Sequence, residues 1–357
     1  MHNVEMSERE MSMDIAKGIG LFVVILGHLT TYGNTLFDLI FGFHMPLFFF
    51  IAGYFTPRNL DGRKLSKRLR NLSLSYLEFV LIGTIVTLLV PVWRNQLTIT
   101  RFLYDVVYNV QPECVYVGQV WFLASLGVSL TLFFVISKIF SKDVFIIAAG
   151  FLCFFVAYSI TNYNIQIVIW GYNLRFPFKT DTSCAAVLFL IIGNMAKKYD
   201  VVSKIKSKWT ISMLIWFAGL FFYIVLVLIN GTVNICVPTF GNPFLYVCHS
   251  VLGIYLVICV SIVIQKLKTL SKVLAYYGRN SLSIFAMHSF WLYLYAFVLG
   301  LMFDKKVEIM SNLSMSEAVI GAIIIFALSA PVTYLYNHTL GKINASLGKG
   351  EKQWKSN

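Results

Sequence analysis

The chain has 357 residues, 58% of them hydrophobic and only 13% charged, with a mean hydropathy of +0.75. Soluble domains carry about twice that charged fraction, so composition excludes an ordinary water-soluble protein and points to an all-α polytopic membrane protein, most simply one domain over 1–357. Lys and Arg outnumber Asp and Glu 29 to 16, a formal charge of +13, yet no basic module stands apart from the apolar segments, which argues against a nucleic-acid partner.

In chain order, apolar stretches of bilayer-crossing length predict about ten spans, near 13–32, 36–56, 72–92, 119–137, 144–161, 183–196, 209–229, 243–265, 281–301 and 317–340. The sixth is short, and its start extends toward the 165–182 segment. No small-residue cleavage site follows the first, so no removable signal is expected. Basic residues set the orientation. Arg58, Arg63, Lys64, Lys67, Arg68 and Arg70 follow the second span; further clusters follow the sixth (Lys197 to Lys208) and the eighth (Lys266 to Arg279). With Arg9, Lys138, Lys142 and the tail lysines, 22 of the 29 Lys and Arg fall on one side. The positive-inside rule makes that side cytoplasmic, with both termini, and an even number of spans agrees. The +13 charge is thus topological first. The six Cys show no CxxC and no metal-ligand spacing, so neither a structural disulfide nor a bound metal is expected. Trp93, Trp121 and Trp209 fall at span ends, where an amphipathic ring belongs. No internal repeat is visible, which weakens a transporter reading.

The first hairpin carries the chemistry. Ionisable groups in hydrocarbon cost several kcal/mol and mark functional sites, and here Asp14, Lys17, His28 and His44 fall in two consecutive apolar helices. Lys17 and His28 are eleven residues apart, about three turns, so they share a face roughly 16 Å apart. His28 and His44 are each eight residues from Leu36, which puts both imidazoles at nearly equal depth, about 12 Å below the outer ends of their helices. Pro46 has no N–H for the carbonyl of Gly42 and crowds that turn, so the second span should kink beside His44. The freed carbonyl must line a cavity or meet protein. The plainer alternative is that the two histidines bond each other or a carbonyl as glue between helices, and that Asp14 simply pairs with Lys17 one turn away.

The residues in this stretch read Asp14, Lys17-Gly18, Gly27-His28, then Phe43-His44-Met45-Pro46-Leu47-Phe48-Phe49 to Gly53. Later come Gly118-Gln119-Val120-Trp121-Phe122-Leu123 and Gly278-Arg279-Asn280-Ser281-Leu282, leading to His288. In this order over about 14–288, the pattern resembles the acyltransferase-3 family of integral membrane acyltransferases, especially its fucose-4-O-acetylase-like branch. The family's basic-residue-x10-His element maps onto Lys17 and His28. Lys17 stands where many members have Arg, which turns a bidentate contact into a point charge.

The resemblance implies transfer of an acyl group, acetyl first, from acyl-CoA to a hydroxyl of a cell-surface glycan or lipid-linked saccharide in the bacterial cell membrane. Acetyl-CoA would be a donor substrate rather than a bound cofactor. Imidazole suits a base for a sugar hydroxyl at neutral pH; His28 is assigned that role, or that of a transient acyl carrier. His44 would orient it or stabilise an oxyanion. Lys17 with Asp14, and the basic 58–70 stretch, would face the CoA phosphates; anionic lipid is the alternative partner for that stretch. Glu113, Tyr116 and Gln119 beside Trp121, with Arg175, Lys179 and Asp181, are candidates for an outer acceptor platform or plain interfacial loops. His288 is a substrate-side candidate or packing. Glu78 and Glu317 read as helix-end residues, and His249 and His338 as structural. The rival class is a secondary transporter or sugar-lipid flippase using the same buried Lys17, His28 and His44.

Overall fold

The computed structural model describes residues 2–89, 102, 106–107, 120–165, 167–169, 172–174, 176–303 and 313–346. Thirteen helices fall within them: α1 (His2–Leu29), α2 (Thr35–Phe41), α3 (His44–Tyr54), α4 (Gly62–Leu89), α5 (Trp121–Ile139), α6 (Asp143–Asn162), α7 (Thr180–Lys198), α8 (Val201–Ser207), α9 (Trp209–Asn230), α10 (Pro243–Ile264), α11 (Lys268–Arg279), α12 (Ser281–Phe303) and α13 (Met315–Ser346). A two-stranded antiparallel hairpin, Ile167–Ile169 with Tyr172–Leu174, is the departure from an all-helical chain among the described residues.

Nine of the segments they form are long and apolar enough to cross a membrane, the broken α2–α3 pair counting as one. The predicted sixth span is α7, which is not one of the nine. Its 19 residues rise about 28 Å, close to a hydrocarbon core, but Asp181, Thr182, Ser183 and Asn194 dilute its hydropathy. All four are buried. Packing of α3, α5 and α6 around α7 shelters them from lipid, so the central helix needs less apolar surface than its neighbours. Counted with the nine, it makes ten among the described residues.

Side-chain contacts confirm the alternation of the loops. At the basic end, Arg58 and Lys198 both ion-pair with Asp143, and the Tyr199 hydroxyl donates to it. Lys206 reaches Gln265 at 3.3 Å, and Arg279 lies 3.7 Å from Asp14. At the opposite end, Lys179 Nζ donates to the Cys236 carbonyl at 3.0 Å and the Thr182 hydroxyl to that of Ile235 at 3.2 Å.

Three expectations need correction. The basic 58–70 stretch is not a loop: from Gly62 onward it is the first turns of α4. The 266–280 segment contains α11, an amphipathic helix that buries Ser271, Leu274, Ala275, Tyr277 and Gly278 and exposes Lys268, Lys272 and Arg279. Glu78 lies well inside α4, where the Tyr336 hydroxyl donates to it at 2.6 Å. Glu317 is at a helix end as expected: it forms a capping box with Ser314, accepting from the Ser314 N–H at 2.7 Å while its own N–H reaches the Ser314 hydroxyl at 3.3 Å.

Small residues set the closest helix approaches, as membrane packing requires. A Cβ on Gly53 would fall on the Leu190 carbonyl, and one on Gly193 on that of Phe50, so α3 and α7 touch backbone to backbone. Gly53→Ala should therefore force the two helices apart and cost about 1–3 kcal/mol. The check is thermal unfolding of the purified protein in detergent micelles; an unchanged melting temperature would contradict the close contact.

Candidate functional site

The site begins where the second span breaks. Asn34 caps α2, its side chain accepting from the Phe37 N–H at 2.7 Å, and α2 stops at Phe41. α3 starts at His44, two residues before Pro46. The carbonyl of Gly42, which Pro46 cannot satisfy, accepts from the Ser250 hydroxyl at 2.7 Å and from His249 Nδ1 at 3.1 Å. Because Nδ1 must donate to a carbonyl, His249 Nε2 accepts, and Asn230 Nδ2 supplies that proton at 3.1 Å. The break that the sequence predicts is thus held by two residues on α10, one of which has no motif around it.

α1 ends at Leu29 rather than near residue 32, and the Thr30 hydroxyl takes the Gly27 carbonyl at 2.8 Å. Gly27 lies directly against Ile40 and Phe41, so His28 is level with the last turn of α2. The Tyr223 hydroxyl donates to the neighbouring Leu39 carbonyl. Tyr223 is seven residues from the end of α9, about 10 Å by the helix rise. The imidazoles therefore sit close to the depth read from the sequence.

Three histidines meet there. The His28 and His288 ring centroids are 5.2 Å apart. The ring of Phe41 lies 6.0 Å from His28 and 4.6 Å from His44. His44 Nδ1 donates to the Ile40 carbonyl at 2.9 Å and His288 Nδ1 to that of Phe285 at 2.6 Å. In both neutral rings the lone pair is therefore on Nε2, and that of His288 is buried with no hydrogen-bond partner among the described residues. His44 and His288 are 4% and 1% exposed, whereas His28 is only half-buried. Among the described residues no three His, Cys, Asp or Glu groups converge as a metal site would require.

Lys17 lies eleven residues below His28 on α1, and Phe55 eleven residues below His44. These lower members meet: Lys17 Nζ is 5.2 Å from the centre of the Phe55 ring. Asp14 stands between two cations, 3.9 Å from Lys17 and 3.7 Å from Arg279, as the plainer reading of Asp14 expects. α11 presses against α1 here because Gly18 and Gly278 leave room for the carbonyls of Leu274 and Asp14. A glycine from each of two separate sequence motifs thus meets the other motif's helix.

The third motif joins them in the core. Phe122 packs 5.0 Å from Phe49, 5.3 Å from Phe285 and 6.1 Å from Phe48. Trp121 is 2% exposed. It is not the interfacial ring that its place at a span end suggested, because α5 opens inside the bundle with this side chain turned to the core. Lys179 and Asp181 are also buried rather than ringing an outer mouth. Glu113, Tyr116, Gln119 and Arg175 lie outside the described residues. His338 stacks on Tyr334 at 6.1 Å, away from the cluster. Asp38 is a buried acid on α2 that sequence reading passed over, although a carboxylate in an apolar span is itself the signal.

Residues 11–335 match the model of the acyltransferase-3 family, described as an acyltransferase domain. The chain is also similar to a protein named nodulation protein NolL from Mesorhizobium japonicum, with 31% identity over 154 residues. That alignment spans 40% of this chain and 40% of the relative's length.

His249→Ala should leave one N–H of the Asn230 amide without its acceptor, the other still bonding Phe240, and the Gly42 carbonyl one donor short. The expected loss is about 1–3 kcal/mol of stability. Thermal melting in micelles measures it, and a melting curve that overlays the parent's would show that the Gly42 carbonyl needs no such support.

Proposed function

The chain belongs to the acyltransferase-3 family and is a multi-pass membrane acyltransferase, and from that premise we propose that it acetylates a hydroxyl of a cell-surface glycan or lipid-linked saccharide, using acetyl-CoA in the cell membrane. The observation that carries the mechanism is a half-buried His28 backed by two buried imidazoles. Of the three, His28 is the least buried.

A sugar hydroxyl is a poor nucleophile, and imidazole, with an unperturbed pKa near 6.5, accepts its proton at neutral pH. The hydroxyl oxygen attacks the thioester carbonyl carbon as its proton passes to the unprotonated nitrogen of His28. The C–S bond then breaks and the CoA thiolate leaves, taking up that proton. His288, fixed by its bond to Phe285, and His44, fixed by its bond to Ile40, position the His28 ring and shield it from water. Lys17 faces the donor's phosphates from the basic end, one pantetheine length below, at roughly 16 Å on the helix rise. Donor then enters from the cytoplasmic face, and CoA never crosses the bilayer. Trp121, being buried, forms the wall behind Phe122 rather than an acceptor platform.

Transfer of labelled acetyl from acetyl-CoA by the purified protein, without any membrane gradient, separates this enzyme from a transporter. His28→Ala should lower turnover by about 10²–10⁴-fold while the protein still inserts and melts normally; near-parental turnover would remove His28 from the chemistry. Lys17→Ala should raise KM for the donor, with Lys17→Arg largely tolerated. A lowered kcat at unchanged KM would instead place Lys17 in the chemical step.

A further inference from the structure

At the basic end the chain between α3 and α4 folds back on the first turns of α4 and forms with them an open cleft of about 270 Å³, lined by Pro57, Leu60, Lys64, Lys67, Arg68 and Asn71. Positions 64, 67, 68 and 71 recur at the spacing of one helix face, so α4 supplies a basic wall and the loop supplies an apolar one. The loop is anchored. Asn194 on the central helix donates to the Thr56 carbonyl at 2.6 Å, and Leu60 is 1% exposed. Arg68 is anchored with it, donating to the Thr56 hydroxyl at 3.0 Å and to the Phe55 carbonyl at 3.3 Å.

The charges that line the cleft are unbalanced; Asp61, the acid of the loop, is exposed and is not among the lining residues. Arg58, the remaining cation of the loop, turns away to Asp143 and the Ser141 carbonyl. Arg68 bonds only neutral oxygens, and Lys64 and Lys67 make no ion pair with any described residue. No carboxylate lines the cleft. Three cations therefore border one open cleft, where a phosphate is the natural counterion. A topogenic signal needs only basic residues near a span end; it does not need a walled cleft with an apolar side.

The position of the cleft selects the ligand. Phe55 joins it to the reaction path: its carbonyl holds Arg68, and its ring carries Lys17 Nζ at 5.2 Å. Phe55 thus stands between the cleft and Lys17. At 270 Å³ the cleft is smaller than a drug-sized pocket, so it takes one end of a long molecule. We propose that it binds the phosphorylated nucleotide end of the donor, the 3′-phosphate on Lys64, Lys67 and Arg68 and the base against Pro57 and Leu60, with the diphosphate left to Lys17; this rests on acyl-CoA being the donor.

The test is calorimetric binding of CoA and of 3′-dephospho-CoA to the full chain in phosphatidylcholine nanodiscs, for the parent and for Lys64→Gln/Lys67→Gln. Both lysines are exposed on α4, so the variant should fold, and its melting temperature checks that it does. The expected result is CoA binding weakened by about tenfold or more, with a smaller loss for dephospho-CoA. Parent and variant binding CoA equally would overturn the cleft assignment while leaving the donor reading intact. A parent that binds no CoA at all would overturn both. If the variant keeps CoA affinity but loses the thermal stabilisation that phosphatidylglycerol gives the parent, the cleft is an anionic-lipid site and the proposal falls.

Discussion

One backbone carbonyl organises this bundle. Pro46 withholds an N–H from Gly42, and a carbonyl left open in hydrocarbon is costly. Ser250 and His249 on α10 answer it. That exchange splits the second membrane segment into α2 and α3, makes His44 the first residue of a new helix, and leaves the Phe41 ring edge-on to His44 at the junction. His44 and His288 then each spend one ring nitrogen on a carbonyl of their own helix. The two rings are therefore fixed before any substrate arrives, which is the condition for an active site that need not reorganise during reaction.

Glycines bring the remaining parts into register. Gly18 and Gly278 let α1 and α11 touch, which places Arg279 on Asp14 and leaves Lys17 beside Phe55. Gly53 and Gly193 dock α3 on the central helix α7, whose Asn194 holds the loop leading into α4. The imidazole cluster and the basic end are thus two ends of one packed unit. Lys17 and Phe55 sit the same eleven residues below His28 and His44, and their contact marks the basic end of the pair.

Much of this was legible in the sequence. Apolar stretches of bilayer-crossing length found the membrane helices, and the positions of His28, His44 and Pro46 pointed to the depth and the break. Other features were hidden for physical reasons. α7 reads as a weak span because its polar residues are shielded by other helices, a fact that only tertiary structure holds. Trp121 looked interfacial because span ends usually are, yet here α5 opens inside the core. The partnership of His28 with His288 joins residues 260 positions apart, which no local spacing reveals. The capture of Gly42 by His249 is equally remote. The basic stretch after α3 was visible as charge, but its cleft exists only once the loop has folded back on α4.

The central claim is that an acyl donor enters from the basic end and presents its thioester to His28. A cryo-EM structure with a non-transferable acetyl-CoA analogue tests it most directly. The account predicts the analogue's carbonyl carbon close enough to the His28 ring for an acceptor oxygen to be held between them, within about 3–3.5 Å of each, with the pantetheine arm running past Lys17. Donor density reaching the cluster from the opposite end, or an acyl group remote from all three histidines, would contradict it.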